Sequence, residues 1–225
     1  MLSTLEDLEN PAWYRHNVVT LISFDLKGAF NGVNWVSFDA SLQARGIPMA
    51  ARKWITSFMS DRHANIGFDD FRTETEPLAN AGLPQGSPLS PILFAFCNAD
   101  LVDQPVDPHG GTSAFIDDYF RWRVGYSAEE NLTRIQSEDL PRIEEWARRT
   151  GSCFAAEKAE LIHLTRRKGE HSVGKITFNE TDIKPSPTAK LLGVVFEHGL
   201  RWKEHVQQAI KRATKTAIAL NGLRR

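Results

Sequence analysis

The chain has 225 residues, 41% of them hydrophobic and 24% charged, with 27 Lys and Arg against 28 Asp and Glu. That balance fits one sizeable globular domain. A formal net charge of −1 excludes a strongly basic nucleic-acid binder as a property of the whole chain, while leaving local basic faces open. No apolar run approaches the roughly 18 residues of a membrane span, and nothing at the start resembles a secretion signal, so no membrane partner is expected. Cys97 and Cys153 lie far apart without metal-site spacing. Both are expected to be reduced and structural, in an intracellular protein.

Taken in chain order, residues 2–13 read as the tail of a helix, with Pro11 a poor interior residue. Residues 18–24 are a β-rich apolar run, expected to be a buried strand ending at Asp25. A helical pattern covers 34–44 and closes at Gly46; Pro48 then opens a second helix through residue 59. Residues 63–78 alternate like a hairpin around Asp69-Asp70. Residues 88–102 are apolar on most sides and predict a buried helix. Gly110-Gly111 reads as a turn before a strand.

Further on, Ser127-Ala128-Glu129-Glu130 is a capping box that opens one long helix to Thr150, with Gly151 as its C-cap. Strands are expected over 161–165, 175–178 and 190–196, and an amphipathic helix over 202–223. That final stretch is locally basic: Arg201, Lys203, Lys211, Arg212, Lys215, Arg224 and Arg225 stand against Glu204 alone. A solvated helix face and a phosphate-contacting one account for it equally well. The order of elements predicts an α+β fold with a mainly antiparallel sheet and helices on one face.

Phe115-Ile116-Asp117-Asp118 is the segment most charged with chemical meaning. Two adjacent carboxylates between apolar residues repel each other and resist desolvation, so their pKa values rise unless a cation neutralises them. Alone, the pair is better read as an exposed acidic turn. Two further features change its weight. The first strand ends in Ser23-Phe24-Asp25, which sets a third carboxylate at a strand end. Between them, residues 82–91 (GLPQGSPLSP) form a rigid glycine-containing turn that feeds a helix, a natural cradle for a phosphate or nucleotide edge. If the first strand lies beside the central hairpin, Asp25 and Asp117 converge on the same cations. A few carboxylates plus substrate phosphates suit magnesium.

The order FDLKGAF (24–30), GLPQGSPLSPILF (82–94) and FIDD (115–118) resembles motifs A, B and C of the reverse transcriptase family, and within it the non-LTR, LINE-like retrotransposons of the type common in fungal genomes. EEWARRTGSCFAAEKAELIHLTRR (144–167) is similar to motif D, and KLLGVVFEHGLRW (190–202) to motif E and the start of the thumb. The resemblance runs from about residue 18 to residue 202. It implies a polymerase palm with partial fingers and the start of a thumb. The corresponding divisions are a truncated N-terminal helix segment over 1–17, the palm with partial fingers over 18–198, and the first thumb helix over 199–225.

It also implies RNA-directed DNA polymerase activity, with an RNA template, a DNA primer and a dNTP as partners. Two Mg²⁺ ions, with Mn²⁺ as an alternative, would be held by Asp25 and Asp117, and Asp118 would complete the acidic cluster. Phe30 matches the aromatic that stacks under the incoming sugar. Gly82, Pro84, Gln85 and Gly86 match the nucleotide-binding turn. Lys158 matches the lysine that protonates the leaving pyrophosphate, and Leu192-Gly193 the primer grip. Each has a plainer reading: Asp25 as a turn cap, Phe30 as core, Gln85 as a turn residue and Lys158 as a strand-edge charge. Arg121 and Arg123 follow the Asp pair at strand spacing and read as solvating an edge, with primer-phosphate contact as the other reading.

About 20 residues precede Asp25, so the fingers region that normally comes before motif A is expected to be absent, and polymerisation by this chain in isolation to be weak. A non-catalytic nucleic-acid-binding remnant of a retrotransposon is the alternative. A metal-dependent nuclease has only the carboxylates in its favour.

Overall fold

Strand β1 (Val18–Asp25) is paired on both sides, which is why its residues are apolar almost throughout. The computed structural model describes residues 17–78, 82–104 and 110–222, and the helix expected over 2–13 lies outside them. After β1 come helices α1 (Trp35–Ala44) and α2 (Met49–Met59). Asn34 caps α1, its Oδ1 accepting from the amides of Val36 and Ser37 at 3.0 and 3.2 Å. The hairpin around Asp69-Asp70 is present as two short ladders. The outer one joins β2 (His63–Ala64) to β5 (Glu76–Pro77), and the inner one joins β3 (Gly67–Phe68) to β4 (Phe71–Arg72).

Helix α3 (Ser90–Val102) follows, then the hairpin of β6 (Gly110–Phe115) and β7 (Asp118–Gly125). The remaining elements are α4 (Ala128–Arg134), α5 (Leu140–Thr150), β8 (Glu160–Leu164), β9 (Ile176–Phe178), β10 (Thr181–Ile183), β11 (Thr188–Leu191), β12 (Val194–Glu197) and α6 (Lys203–Gly222). The main sheet has the order β6-β7-β1-β8, antiparallel at every pairing. The fold is α+β, as expected.

The period-2 alternation of strands separates two cores. On one face Ile22, Phe24, Tyr119 and Leu161 pack with Leu93 and Phe94 of α3 and with Ile143 and Trp146 of α5. On the other face Val19, Leu21, Phe120, Trp122 and Ile162 pack against Ala189, Leu191 and Phe196 of the β11–β12 hairpin. Helices cover one face of this sheet and a hairpin covers the other, among the described residues. Among the described residues no helix is long and apolar enough to cross a membrane. Cys97 and Cys153 are free, and burial pushes the Cys97 thiol up to about 12.

Four sequence expectations differ from the structure, each for a physical reason. Gly110-Gly111 is not a turn but the start of β6. Gly111 pairs with Trp122, and a Cβ there would stand 2.0 Å from the indole Cζ2, so glycine is needed for close approach rather than for turning. The long helix to Thr150 is interrupted by a π-helical segment, Ile135–Asp139, directly before Pro141, whose missing N–H cannot continue the α-helical ladder. The strand expected over 190–196 is a hairpin, turned at Leu192-Gly193, both of positive φ.

Fourth, Arg121 and Arg123 do not solvate an edge. They lie on the helix-covered face, 1% and 2% exposed. Arg121 pairs with Asp139. Arg123 Nε reaches Asp139 Oδ2 at 2.7 Å, its Nη2 reaches Asp139 Oδ1 at 2.6 Å, and Nη2 also reaches Glu138 Oε2 at 2.9 Å. Asp139 is the last residue of the π segment, and its buried carboxylate lies on both guanidinium groups.

A second buried network ties α4 to the sheet. Asn131 Nδ2 donates to Val18 O at 2.8 Å and to Thr20 Oγ1 at 3.0 Å. Thr20 Oγ1 lies 2.8 Å from His163 Nδ1, and His163 Nε2 lies 3.0 Å from Val173 O. A carbonyl only accepts, so Nε2 carries the proton and Nδ1 accepts from the threonine hydroxyl.

Two outcomes follow. Removing the shared carboxylate by Asp139→Ala takes from two buried guanidinium groups the anion they share, leaving Glu138 on Arg123, and should lower unfolding free energy by about 3–5 kcal/mol in urea titrations. Burial, with His171 in support and against the pull of Val173 O and Glu170, holds the His163 pKa below its ordinary value. The unfolded chain therefore takes up the proton first. The histidine's contribution should be complete above the unfolded value of about 6.5 and decline as pH falls below it. Urea midpoints from pH 8 to pH 5 should show that slope in the native chain and a shallower one in His163→Asn.

Candidate active site

Asp25 is the last residue of β1 and Asp118 the first of β7, and the two are cross-strand partners in register. Strand alternation sets both side chains on the face that carries Leu21 and Phe120, the face covered by the β11–β12 hairpin. Asp117 occupies the two-residue turn between β6 and β7 with Ile116, whose φ is +54°. Its carbonyl accepts from the amide of Leu26 at 3.2 Å, which ties the turn to the residue after Asp25. The three carboxylates are thus gathered at one end of adjacent strands.

The electrostatics match that placement. Desolvation raises the Asp118 pKa, and the charges of Asp117 and Asp25 raise it further. Directly opposed like charges destabilise a strand pair. The compensating charge in this structure is Lys158. It sits on a 3₁₀ turn (Ala156–Lys158), not on a strand edge, and its Nζ lies 2.6 Å from Asp25 Oδ2. That contact raises the lysine's pKa. The turn is brought there by backbone bonds: Lys27 N donates to Cys153 O and Ala155 N to Asp25 O, both at 2.8 Å. Lys27 also pairs with Glu157 at 3.0 Å.

The glycine-containing turn docks against the loop after β1. Gly82 N donates to Val33 O at 3.1 Å and Leu83 N to Phe30 O at 2.7 Å. Gly82 has φ +79°, and a Cβ there would meet Asn31 Cα at 2.7 Å, so the close approach of the two loops requires glycine. Phe30, half-buried, packs against Phe94 with ring centroids 5.1 Å apart and the rings tilted by 35°, so its core contact and its position beside the site coexist. Ser90 Oγ donates to Pro84 O at 2.6 Å, holding the turn from the helix that follows it. Gln85 and Gly86 are exposed, and Gly86 has φ +88°.

Leu192 and Gly193 form the tip of the β11–β12 hairpin. Lys190 N donates to Glu160 Oε2 at 2.7 Å, and Glu160 pairs with Ser23, two residues before Asp25. The tip therefore lies toward the aspartate end of the sheet, on the face that carries Asp25 and Asp118. Two contributors escaped the sequence reading: Ser90 and Asn98. Asn98 Nδ2 donates to Ile116 O at 2.7 Å. Its one sequence signal is a lone amide inside the apolar run of α3.

Three carboxylates offer the hard oxygen donors a divalent cation takes, and their mutual repulsion is what a cation relieves. Among the described residues no three His, Cys, Asp or Glu side chains converge closely enough to form a metal-binding group as they stand. Asp25 is instead engaged by an ammonium. Asp25, Asp117 and Asp118 supply oxygen donors of the kind a divalent ion takes.

Known proteins resemble this chain in sequence and in fold. The sequence is 25% identical over 169 residues to the RNA-directed DNA polymerase from mobile element jockey of Drosophila melanogaster, covering 73% of this chain and 18% of that protein. It is 31% identical over 93 residues to the retrovirus-related Pol polyprotein from type-1 retrotransposable element R2 of Popillia japonica, covering 41% of this chain and 15% of that one. The chain therefore spans under a fifth of the length of these relatives. Among solved structures, telomerase from Candida tropicalis in complex with a fragment of telomeric RNA shares the fold, with a TM-score of 0.53 at 14% identity over 81% of this chain and 31% of that one. Residues 2–196 match the profile of the family described as reverse transcriptase (RNA-dependent DNA polymerase), and the chain belongs to that family.

Proposed function

We propose that this chain is the palm of a LINE-type RNA-directed DNA polymerase, extending a DNA primer on an RNA template. The observation that carries the reading is the cross-strand pair of Asp25 and Asp118, with Asp117 beside them in the turn. Family membership supports it. In the reaction the primer 3′-hydroxyl attacks the α-phosphate of a dNTP, a P–O bond forms, and pyrophosphate leaves. Asp25, Asp117 and Asp118 would hold two Mg²⁺ ions, or Mn²⁺, which supply charge neutralisation at the attacking and leaving oxygens.

The protein's own groups account for the rest. Lys158 holds a proton at Nζ beside Asp25, and from there it serves the leaving pyrophosphate. The turn of Gly82, Pro84, Gln85 and Gly86 receives the nucleotide, its exposed glutamine toward template and base. Phe30, braced by Phe94, sits under the sugar. Leu192 and Gly193 steady the primer from the same face of the sheet. Holding the reactants in line is worth more to phosphoryl transfer than any single proton transfer. In this reading residues 18–198 form the palm with partial fingers, and residues 199–225 begin the thumb.

A second reading, nucleic-acid binding without turnover, is favoured by one specific observation. Helix α6 has no buried residue and presents Lys203, Lys211, Arg212 and Lys215. Primer extension on an RNA template separates the two. Dependence on Mg²⁺, with loss of at least about a hundredfold in Asp117→Ala/Asp118→Ala, is expected of the polymerase. Extension that survives the double substitution would remove the assigned site. A salt-sensitive gel shift without metal-dependent incorporation would establish the binding reading instead.

A further inference from the structure

Helix α3 carries two buried polar side chains, and each is spent on a backbone carbonyl of one half of the candidate site. Ser90, in the first turn, donates to Pro84 O at 2.6 Å and so holds the nucleotide turn. Asn98, two turns further on and 4% exposed, donates to Ile116 O at 2.7 Å. Ile116 precedes Asp117 and has φ +54°, a conformation that a β-branched residue adopts only under constraint. The repulsion felt at Asp118, from Asp117 and Asp25, also works against a compact turn.

The bonds form a relay. Asn98 holds Ile116 O, Asp117 O accepts from Leu26 N at 3.2 Å, and Leu26 follows Asp25. The helix thus approaches the turn from behind, on the face opposite the carboxylates. The Asn98 side chain is only half used in this arrangement, because its Oδ1 is buried and has no hydrogen-bond partner among the described residues. A leucine of similar volume would remove that unpaired oxygen.

We propose that Asn98 is a positioning residue for Asp117: its amide fixes the strained Ile116-Asp117 turn so that the carboxylates keep an arrangement their own charges oppose. The proposal rests on the reading of Asp117 as a site carboxylate. It assigns one rigid helix to both halves of the site, the nucleotide turn through Ser90 and the aspartate turn through Asn98.

Asn98→Leu tests it, because stability and positioning move in opposite directions. The melting temperature should be equal to or above that of the native chain. Hydrogen exchange at the Leu26 amide should accelerate at least about tenfold, while the amides of Val19 to Ile22 keep their protection. Mn²⁺ affinity, followed by electron paramagnetic resonance, should fall about tenfold, and kcat for primer extension should fall with KM for dNTP unchanged. Asn98→Asp, which keeps the shape but turns an acceptor toward Ile116 O, should behave like Asn98→Leu at Leu26.

Native protection at Leu26 in both variants would overturn the proposal, and so would native Mn²⁺ affinity and kcat. Absence of Mn²⁺ binding and extension in the native chain would instead overturn the polymerase reading. The exchange at Leu26 would still decide whether Asn98 sets the turn.

Discussion

Asp25 and Asp118 face each other across neighbouring strands, and that opposition is the constraint around which the rest of the structure is arranged. Two carboxylates in register push strands apart, and desolvation at the sheet end adds to the cost. The protein answers with backbone geometry more than with charge. β1 is held on both sides, its last residues are tied to the segment before Lys158, and the turn carrying Asp117 is bonded to Leu26 and to Asn98. Among the described residues Lys158 supplies the opposite charge on Asp25, and it does so from an exposed turn, where an ammonium is exchangeable.

The division of the sheet into two faces explains how such a site is compatible with a stable core. One face meets helices, and there the strands bury a hydrogen-bonded network, Asn131–Thr20–His163, and an ionic one, Arg121 and Arg123 with Asp139. The other face meets the β11–β12 hairpin and ends in the carboxylates. Rigidity is concentrated behind the site and openness in front of it. Desolvated ion pairs are poor sources of net stability but are strongly position-specific, which suits a scaffold that must keep β7 in one register.

Much of this was legible in the chain. The β-branched run before Asp25, the caps at Ser127 and Gly151, and the glycine turn before α3 are local signals, and each appears where the residues imply. Other features misled because local chemistry has two uses. Gly111 looked like a turn residue, yet it is small to admit Trp122 from the neighbouring strand. Arg121 and Arg123 looked like solvent-facing charges, because nothing within a few residues reveals Asp139 on a segment 16 to 18 residues away. The single strand over 190–196 hid a turn, since Leu192 gives no hint of a positive φ.

By itself the sequence determined the order of elements, the family, and the spacing of the three aspartates and the glycine turn that point to a site, because these depend on residue type and position along the chain. Tertiary structure alone decided that Lys158 reaches Asp25, that Phe30 leans on Phe94 while Leu83 bonds its carbonyl, and that Asn98 grips the turn at Ile116. The reason is physical. Propensity, capping and alternation act over a few residues, whereas ion pairs and side-chain hydrogen bonds are set by which strands become neighbours and which face each residue turns inward.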